Sequence, residues 1–311
     1  MKYKNIFISG GSGFLGRQIV TQALEIGYNV FCPRSSEVDI ITGMGIKEYF
    51  NKLKGKGIKI DCIIHSAAYY GGIGLNQDDP VGLLYNNTQM AQNIFKIAID
   101  QKVGKIISVG SACAYPGQIL DELFEKDIFN GRCHDSVEAY GFTKRLHLVY
   151  NKAIYKQYGI ESNQILLTNL YGENDHYEDH KSHVIAALIK KIVNAKENNS
   201  EVIAWGTGKP VREFLYVKDA AFVIVKSIEF DHDLEPINVK GEEVSIYELS
   251  NIIADLVGLD KNLIHWDSTK PDGVMRKVLN GDKLKGLLPD FKKTEFRSGL
   301  KKAIQWYVKN K

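Results

Sequence analysis

An α/β fold with a doubly wound parallel sheet and a smaller C-terminal substrate-binding region is what this chain of 311 residues predicts. Three observations lead there. Short apolar runs alternate with amphipathic stretches through the first half of the chain. The runs are apolar without interruption, as strands covered by helices on both faces require. A glycine-rich turn separates the first run from the first amphipathic stretch.

Taken in order, "NIFISG" reads as the first strand and "FLGRQIVTQALEIG" as the first helix. "NVFC" follows as a short strand, then "DCIIHSAA" as a strand and "NNTQMAQNIFKIAIDQ" as a helix. "KIISVGSA", "AYGFTKRLHLVYNKAIYKQYG" and "ESNQILLTNLYG" repeat the strand-helix-strand pattern. From about residue 171 the pattern loosens into a polar loop "ENDHYEDHKS", a helix "HVIAALIKKIVNA" and short elements separated by "WGTGKP" and "STKPDG". "SGLKKAIQWYVKN" reads as an amphipathic closing helix. The expected division is a cofactor-binding domain over 1–170 and a substrate-binding region over 171–311, with part of 211–240 returning to the first domain. No repeat at solenoid spacing and no low-complexity linker interrupts this scheme.

Composition narrows the function classes. Forty Lys and Arg against 37 Asp and Glu give a net charge of +3, too balanced for nucleic acid or an anionic membrane as the main partner. The basic, then apolar start is broken by glycines after a few residues, so it reads as a strand and not as a signal peptide. No run approaches the ~18 apolar residues of a membrane-spanning helix. The four cysteines form no CxxC pair, which argues against a disulfide framework or a thiolate metal site and for a reducing cytoplasm.

Gly10, Gly13 and Gly16 stand in a GxxGxxG spacing between strand and helix, with Phe14 and Leu15 opening that helix. Such a turn lets backbone N–H groups and the helix N-terminus face a pyrophosphate, so a Rossmann-type dinucleotide site is expected. The second strand ends in Cys32, Pro33 and Arg34 instead of an acidic residue. A cation there favours NADP(H) over NAD(H), since no carboxylate repels a 2′-phosphate.

Tyr140 and Lys144 lie four residues apart in "AYGFTK", hence on one face of a helix. An ammonium beside the phenol is expected to lower the tyrosine pKa from ~10, as proton transfer requires. Ser111 at the end of a preceding strand completes the set.

With these pieces the chain resembles the extended short-chain dehydrogenase/reductase family, in which the serine and tyrosine hold a carbonyl or alcohol and the lysine holds the nicotinamide ribose. Ser111, Tyr140 and Lys144 match that motif position by position. Within the family it is similar to the GDP-L-fucose synthases through "AAYYGGIGLN", "GSACAYP", "TNLYGENDHY", "SHVIAALIKK", "WGTGKPVREFLYVKD" and "KPDGVMRK". The resemblance implies NADPH and a GDP-linked 4-keto sugar, with Cys113 and His183 as the base and acid that invert C3 and C5. It adds Ala67 to the cofactor contacts, assigns Lys191, Trp205, Arg212 and Asp272 to substrate anchoring, and implies a homodimer packed through the helices of the Tyr140 region.

Competing readings stand beside these. His176, His180 and His183 with Glu178 and Asp179 could be read as a metal cluster, but no metal is expected, because Ser182 reads as a helix N-cap and only His183 falls in a matched motif. Cys113 could be packing, Trp205 core, Arg212 part of an ion pair, and "KPDG" a turn. Ser12 stands where relatives commonly carry arginine, Tyr216 replaces a common histidine, and the segment between Ser111 and Tyr140 departs from the usual wording. These departures keep open a reductase-only enzyme on a GDP-4-keto-heptose, an NAD-dependent nucleotide-sugar 4-epimerase or dehydratase, and a non-catalytic nucleotide-sensing protein.

Overall fold

Five apolar runs from the first half and one from the second line up as a single parallel sheet. A computed structural model describes every residue except 120, 179–181, 271 and 273. The strands are β1 (Asn5–Ser9), β2 (Asn29–Phe31), β3 (Cys62–His65), β4 (Lys105–Ser111), β5 (Glu122–Leu123), β6 (Glu161–Leu167) and β7 (Asn169–Tyr171), then β8 (Val202–Trp205), β9 (Val211–Tyr216), β10 (Ile237–Val239), β11 (Glu242–Ser245), β12 (Ile264–Asp267) and β13 (Arg276–Leu279). The helices are α1 (Phe14–Ile26), α2 (Ile46–Gly55), α3 (Ile73–Asp78), α4 (Pro80–Asp100), α5 (Glu138–Tyr158), α6 (Val184–Asn198), α7 (Val217–Lys226), α8 (Ile246–Val257), α9 (Asp282–Leu287) and α10 (Phe296–Asn310).

The main sheet runs β10-β6-β4-β3-β1-β2, and every neighbouring pair is parallel. Side chains of period two divide its faces. Ile6, Ile8, Cys62, Ile64, Ile107, Val109, Ile165 and Leu167 face one core, which α1 and α7 close. Phe7, Ile63 and Ile106 face the other, closed by α2, α4 and α5. The doubly wound sheet expected from the sequence is therefore present, and α7 and β10 from the second half are built into it.

Chain order reverses between β1 and β3, since β2 lies on one side of β1 and β3 on the other. Ligands of such sheets bind beyond the carboxyl ends of the strands at that point. The glycine turn after β1, the 66–72 segment after β3 and the turn after β4 all leave the sheet at this end.

The rest forms a smaller sheet, β11-β9-β13-β5 with β7 on β9, and a β8–β12 pair. A third core between α6, α8, α10 and β9 supports it. Glu213 of β9 is fully buried and accepts the N–H groups of Gly241 at 2.5 Å and Leu279 at 2.7 Å, which fastens β9, β13 and the turn before β11 together. Helix α6 starts one residue later than expected: His183 is its N-cap, in extended conformation, while the Ser182 N–H donates to the Glu178 carbonyl at 2.9 Å.

Candidate active site

Close backbone approach shapes the nucleotide end. Gly10 has φ +74°, and a Cβ there would fall 2.7 Å from the Ala67 backbone. A Cβ on Gly16 would collide with the Gly10 carbonyl, which instead accepts the Gly13 N–H at 3.0 Å. Gly13 caps α1 with no side-chain acceptor, and no acidic residue stands in the first turn, where Phe14 is buried and Leu15 packs on the core. The N–H groups of the first turn are thus left to a ligand, and the cradle that side chains would fill fits a dinucleotide pyrophosphate. Arg34, past β2, is exposed and its side chain has no partner among the described residues.

At the end of β4 the Ser111 Oγ accepts the Cys113 N–H at 3.2 Å, capping a 3₁₀ turn over Ala112–Ala114. Cys113 is left partly exposed at the turn. Helix α5 reaches this turn because Gly141 has no side chain: a Cβ there would run into the Cys113 backbone and lie 2.9 Å from Cys133 Sγ. Tyr140 and Lys144 are thereby brought beside Cys113. Lys144 is 3% exposed, with its Nζ 5.4 Å from the Tyr140 ring centroid. Burial pulls the lysine down to about 8. Contrary to expectation, the Tyr140 phenol is raised rather than lowered, chiefly by burial, with Cys113 and Tyr70 adding to it. Desolvation of the phenolate outweighs the nearby ammonium.

His183 comes from a different segment, at the head of α6, with its pKa lowered by burial and by His176. His176 is exposed. His180 and Asp179 lie outside the described residues, and among the described residues no group of three or more His, Cys, Asp or Glu is placed to hold a metal ion.

The anchoring candidates gather around β8 and the turn after it. Trp205 is 68% exposed and so is not core; Lys191 and Lys270 lie 5.6 and 5.8 Å from its ring. The Lys191 Nζ donates to the Ile203 carbonyl at 2.8 Å. Among the described residues Arg212 makes no carboxylate ion pair; it donates to the carbonyls of Val211 at 3.0 Å and Asp272 at 3.3 Å. The Asp272 carboxylate caps a turn, accepting the Thr207 N–H and Oγ1–H, each at 2.7 Å.

The model of the NAD dependent epimerase/dehydratase family matches residues 6–239. The chain belongs to that family. It is 33% identical to GDP-L-fucose synthase 1 of Arabidopsis thaliana, over 99% of this chain and 94% of that one. Identity to the GDP-L-fucose synthase of Escherichia coli (strain K12) is 30%, over 100% and 98%. The solved structure of a GDP-L-fucose synthetase from Naegleria fowleri bound to NADP superposes with TM-score 0.88 at 26% identity, covering 100% of this chain and 95% of that one.

In this epimerase/dehydratase chain several groups beside the site were not among those expected from the sequence. Arg17, in the first turn of α1, donates its Nε–H to the Ser12 carbonyl at 2.7 Å, so a cation does stand at the glycine loop despite Ser12. His65 and His147 are buried, with rings 5.3 Å apart and His65 Nδ1 2.8 Å from Ser9 Oγ. Burial and the Lys144 charge hold both imidazoles neutral, His65 down to about 3. Tyr70 stacks on His183, and buried Asp175 is raised to about 7 by desolvation. Arg17 was findable in sequence, four residues past Gly13 and hence facing the loop, and Tyr70 and Asp175 lie inside the matched strings "AAYYGGIGLN" and "TNLYGENDHY".

Proposed function

We propose that this chain reduces the C4 keto group of a GDP-linked 4-keto sugar with NADPH, in the manner of a GDP-L-fucose synthase, after inverting C3 and C5. The observation that carries the reading is the meeting of Ser111, Cys113, Tyr140 and Lys144 at the switch-point end of the sheet, beside a glycine cradle shaped for a dinucleotide. The nicotinamide, when bound, supplies the hydride.

Each side chain then has a defined task. The Ser111 hydroxyl and the Tyr140 phenol hold the C4 oxygen. Its raised pKa keeps Tyr140 protonated, so it gives a proton to that oxygen as the alcohol forms. Lys144 supplies a charge beside the phenol and a donor for the ribose. At the ring carbons next to the carbonyl, Cys113 removes a proton while Ser111 and Tyr140 stabilise the enolate oxygen, and His183 returns a proton from the opposite side. The two groups come from different segments, which permits transfer on opposite faces.

Arg34 and Arg17 are assigned to the 2′-phosphate end, giving NADP(H) over NAD(H). Lys191, Trp205, Arg212 and Asp272 are assigned to the GDP portion, with the exposed Trp205 face offered to a planar base. Residues 1–170 with part of 211–240 hold the cofactor and the remainder of 171–311 holds the sugar nucleotide. The four free cysteines fit a reducing cytoplasm. Exposed Leu84 and Tyr85 on α4 and Phe142 and Val149 on α5 offer an apolar face to a second copy.

Following nicotinamide absorbance with GDP-4-keto-6-deoxy-mannose tests the reading. Expected is one NADPH oxidised per sugar reduced. A purified protein that retains NAD and oxidises no NADPH with GDP-4-keto hexoses or heptoses would instead be a nucleotide-sugar 4-epimerase or dehydratase.

A further inference from the structure

The ring that stacks on His183 belongs to none of the matched catalytic positions. Tyr70 lies five residues past β3, at the same end of the sheet as the Ser111–Cys113 turn. Glycines follow it, and the bare Gly72 Cα sits close enough to the 182–183 segment that a Cβ would lie 3.4 Å from the Ser182 carbonyl. The two segments therefore pack directly, and the Tyr70 and His183 rings lie 13° from parallel with centroids 6.0 Å apart. Among the described residues the imidazole has no hydrogen-bond partner, and its ring contact is with the tyrosine face. Tyr70 keeps 37% of its surface exposed; its phenol is raised to about 12 by desolvation and by Asp175, and it adds to the raising of Tyr140.

The geometry points to Tyr70 as a positioning residue for His183, fixing the imidazole plane and shielding it from water for proton return to the sugar ring. Its ring contact is with the imidazole that serves inversion, and among the described residues it makes no hydrogen bond to Ser111, Tyr140 or Lys144, so only the imidazole depends on it for orientation. Loss of the ring frees the histidine to rotate and hydrate, while Ser111, Tyr140 and Lys144 keep their own supports. Loss of the hydroxyl alone leaves the stacked face in place.

This inference rests on the epimerase part of the proposed function, and its test separates the two. Wild type, Tyr70→Val and Tyr70→Phe are compared for solvent deuterium entering C3 and C5 of GDP-4-keto-6-deoxy-mannose and for NADPH-dependent reduction of an already inverted 4-keto sugar. Expected is an exchange rate in Tyr70→Val lower by at least about tenfold, reduction within about threefold of wild type, and Tyr70→Phe close to wild type in both. The NMR titration of the His183 ring, which needs no turnover, should move upward in Tyr70→Val and stay in place in Tyr70→Phe. Exchange and reduction falling together, or an unmoved His183 titration, overturns the role of Tyr70 and leaves the epimerase reading intact. A wild-type protein that reduces without exchange overturns the epimerase reading and this inference with it.

Discussion

Burial decides how the residues of the site behave. Tyr140 stays protonated through the physiological range, so removing its hydroxyl removes the proton donor. Tyr140→Phe should lower the reduction rate by roughly 10²- to 10⁴-fold with nucleotide binding retained, read by steady-state kinetics and NADPH titration. Lys144 carries the opposite sign. Its pKa is 10.5 in the unfolded chain and about 8 when folded, so between those values the unfolded chain binds a proton that the folded chain lacks, and stability rises with pH through that window. Below pH 8 the buried charge is a full penalty. Lys144→Met should therefore abolish reduction while raising stability at pH 7 by on the order of 1–3 kcal/mol, an advantage that shrinks above pH 8 and is gone by 10.5. Calorimetry at three pH values checks it, and wild-type activity should decline as pH rises through about 8. Tyr140 and Lys144 were legible in sequence from their four-residue spacing, and Ser111 from its place at the end of an apolar run. The raised phenol was not, because it depends on how deeply α5 sinks against the Cys113 turn, and Gly141 sets that depth.

Among the elements, the long ones followed from periodicity. Strands β1, β3, β4 and β6 and helices α1, α4, α5 and α10 fall on the runs that predict them. The short strands β5, β7, β11 and β13 hold two to four residues each, and their pairing is set by tertiary contacts. Glu213 is one of those contacts. Read in sequence it is a charge in an apolar run; folded, it is a fully buried acceptor for two backbone N–H groups, with its pKa raised to about 7 chiefly by desolvation. Glu213→Ala would leave both donors buried and unpaired, and should cost about 2–4 kcal/mol in urea denaturation. Glu213→Gln, which keeps an acceptor oxygen, should cost less. The N-cap of α6 shows the same limit: Ser182 has the better capping chemistry, but its N–H is drawn to Glu178, so the helix begins after His183. That shift puts an imidazole, not a hydroxyl, at the helix head.

For the whole molecule, the crossover between β1 and β3 gathers the glycine turn, Tyr70, Cys113 and the α5 pair at one edge, and the head of α6 brings His183 against Tyr70. The glycine turn and the β-α-β alternation made the first half readable. Where the second half would lie was not, because its packing against the first is long-range. The unpartnered face of α4 and α5 belongs to this scale too. If a second copy covers Leu84, Tyr85, Phe142 and Val149, the double substitution Leu84→Glu with Val149→Glu should convert a dimer to a folded monomer in analytical ultracentrifugation; an unchanged sedimentation coefficient would place the interface elsewhere. The central claim, that one site both inverts and reduces a GDP-linked 4-keto sugar, is tested most directly by turnover of GDP-4-keto-6-deoxy-mannose with NADPH in deuterium oxide. The expected product carries solvent deuterium at C3 and C5 and consumes one NADPH per molecule, whereas a reduced product free of deuterium at both carbons would contradict the account.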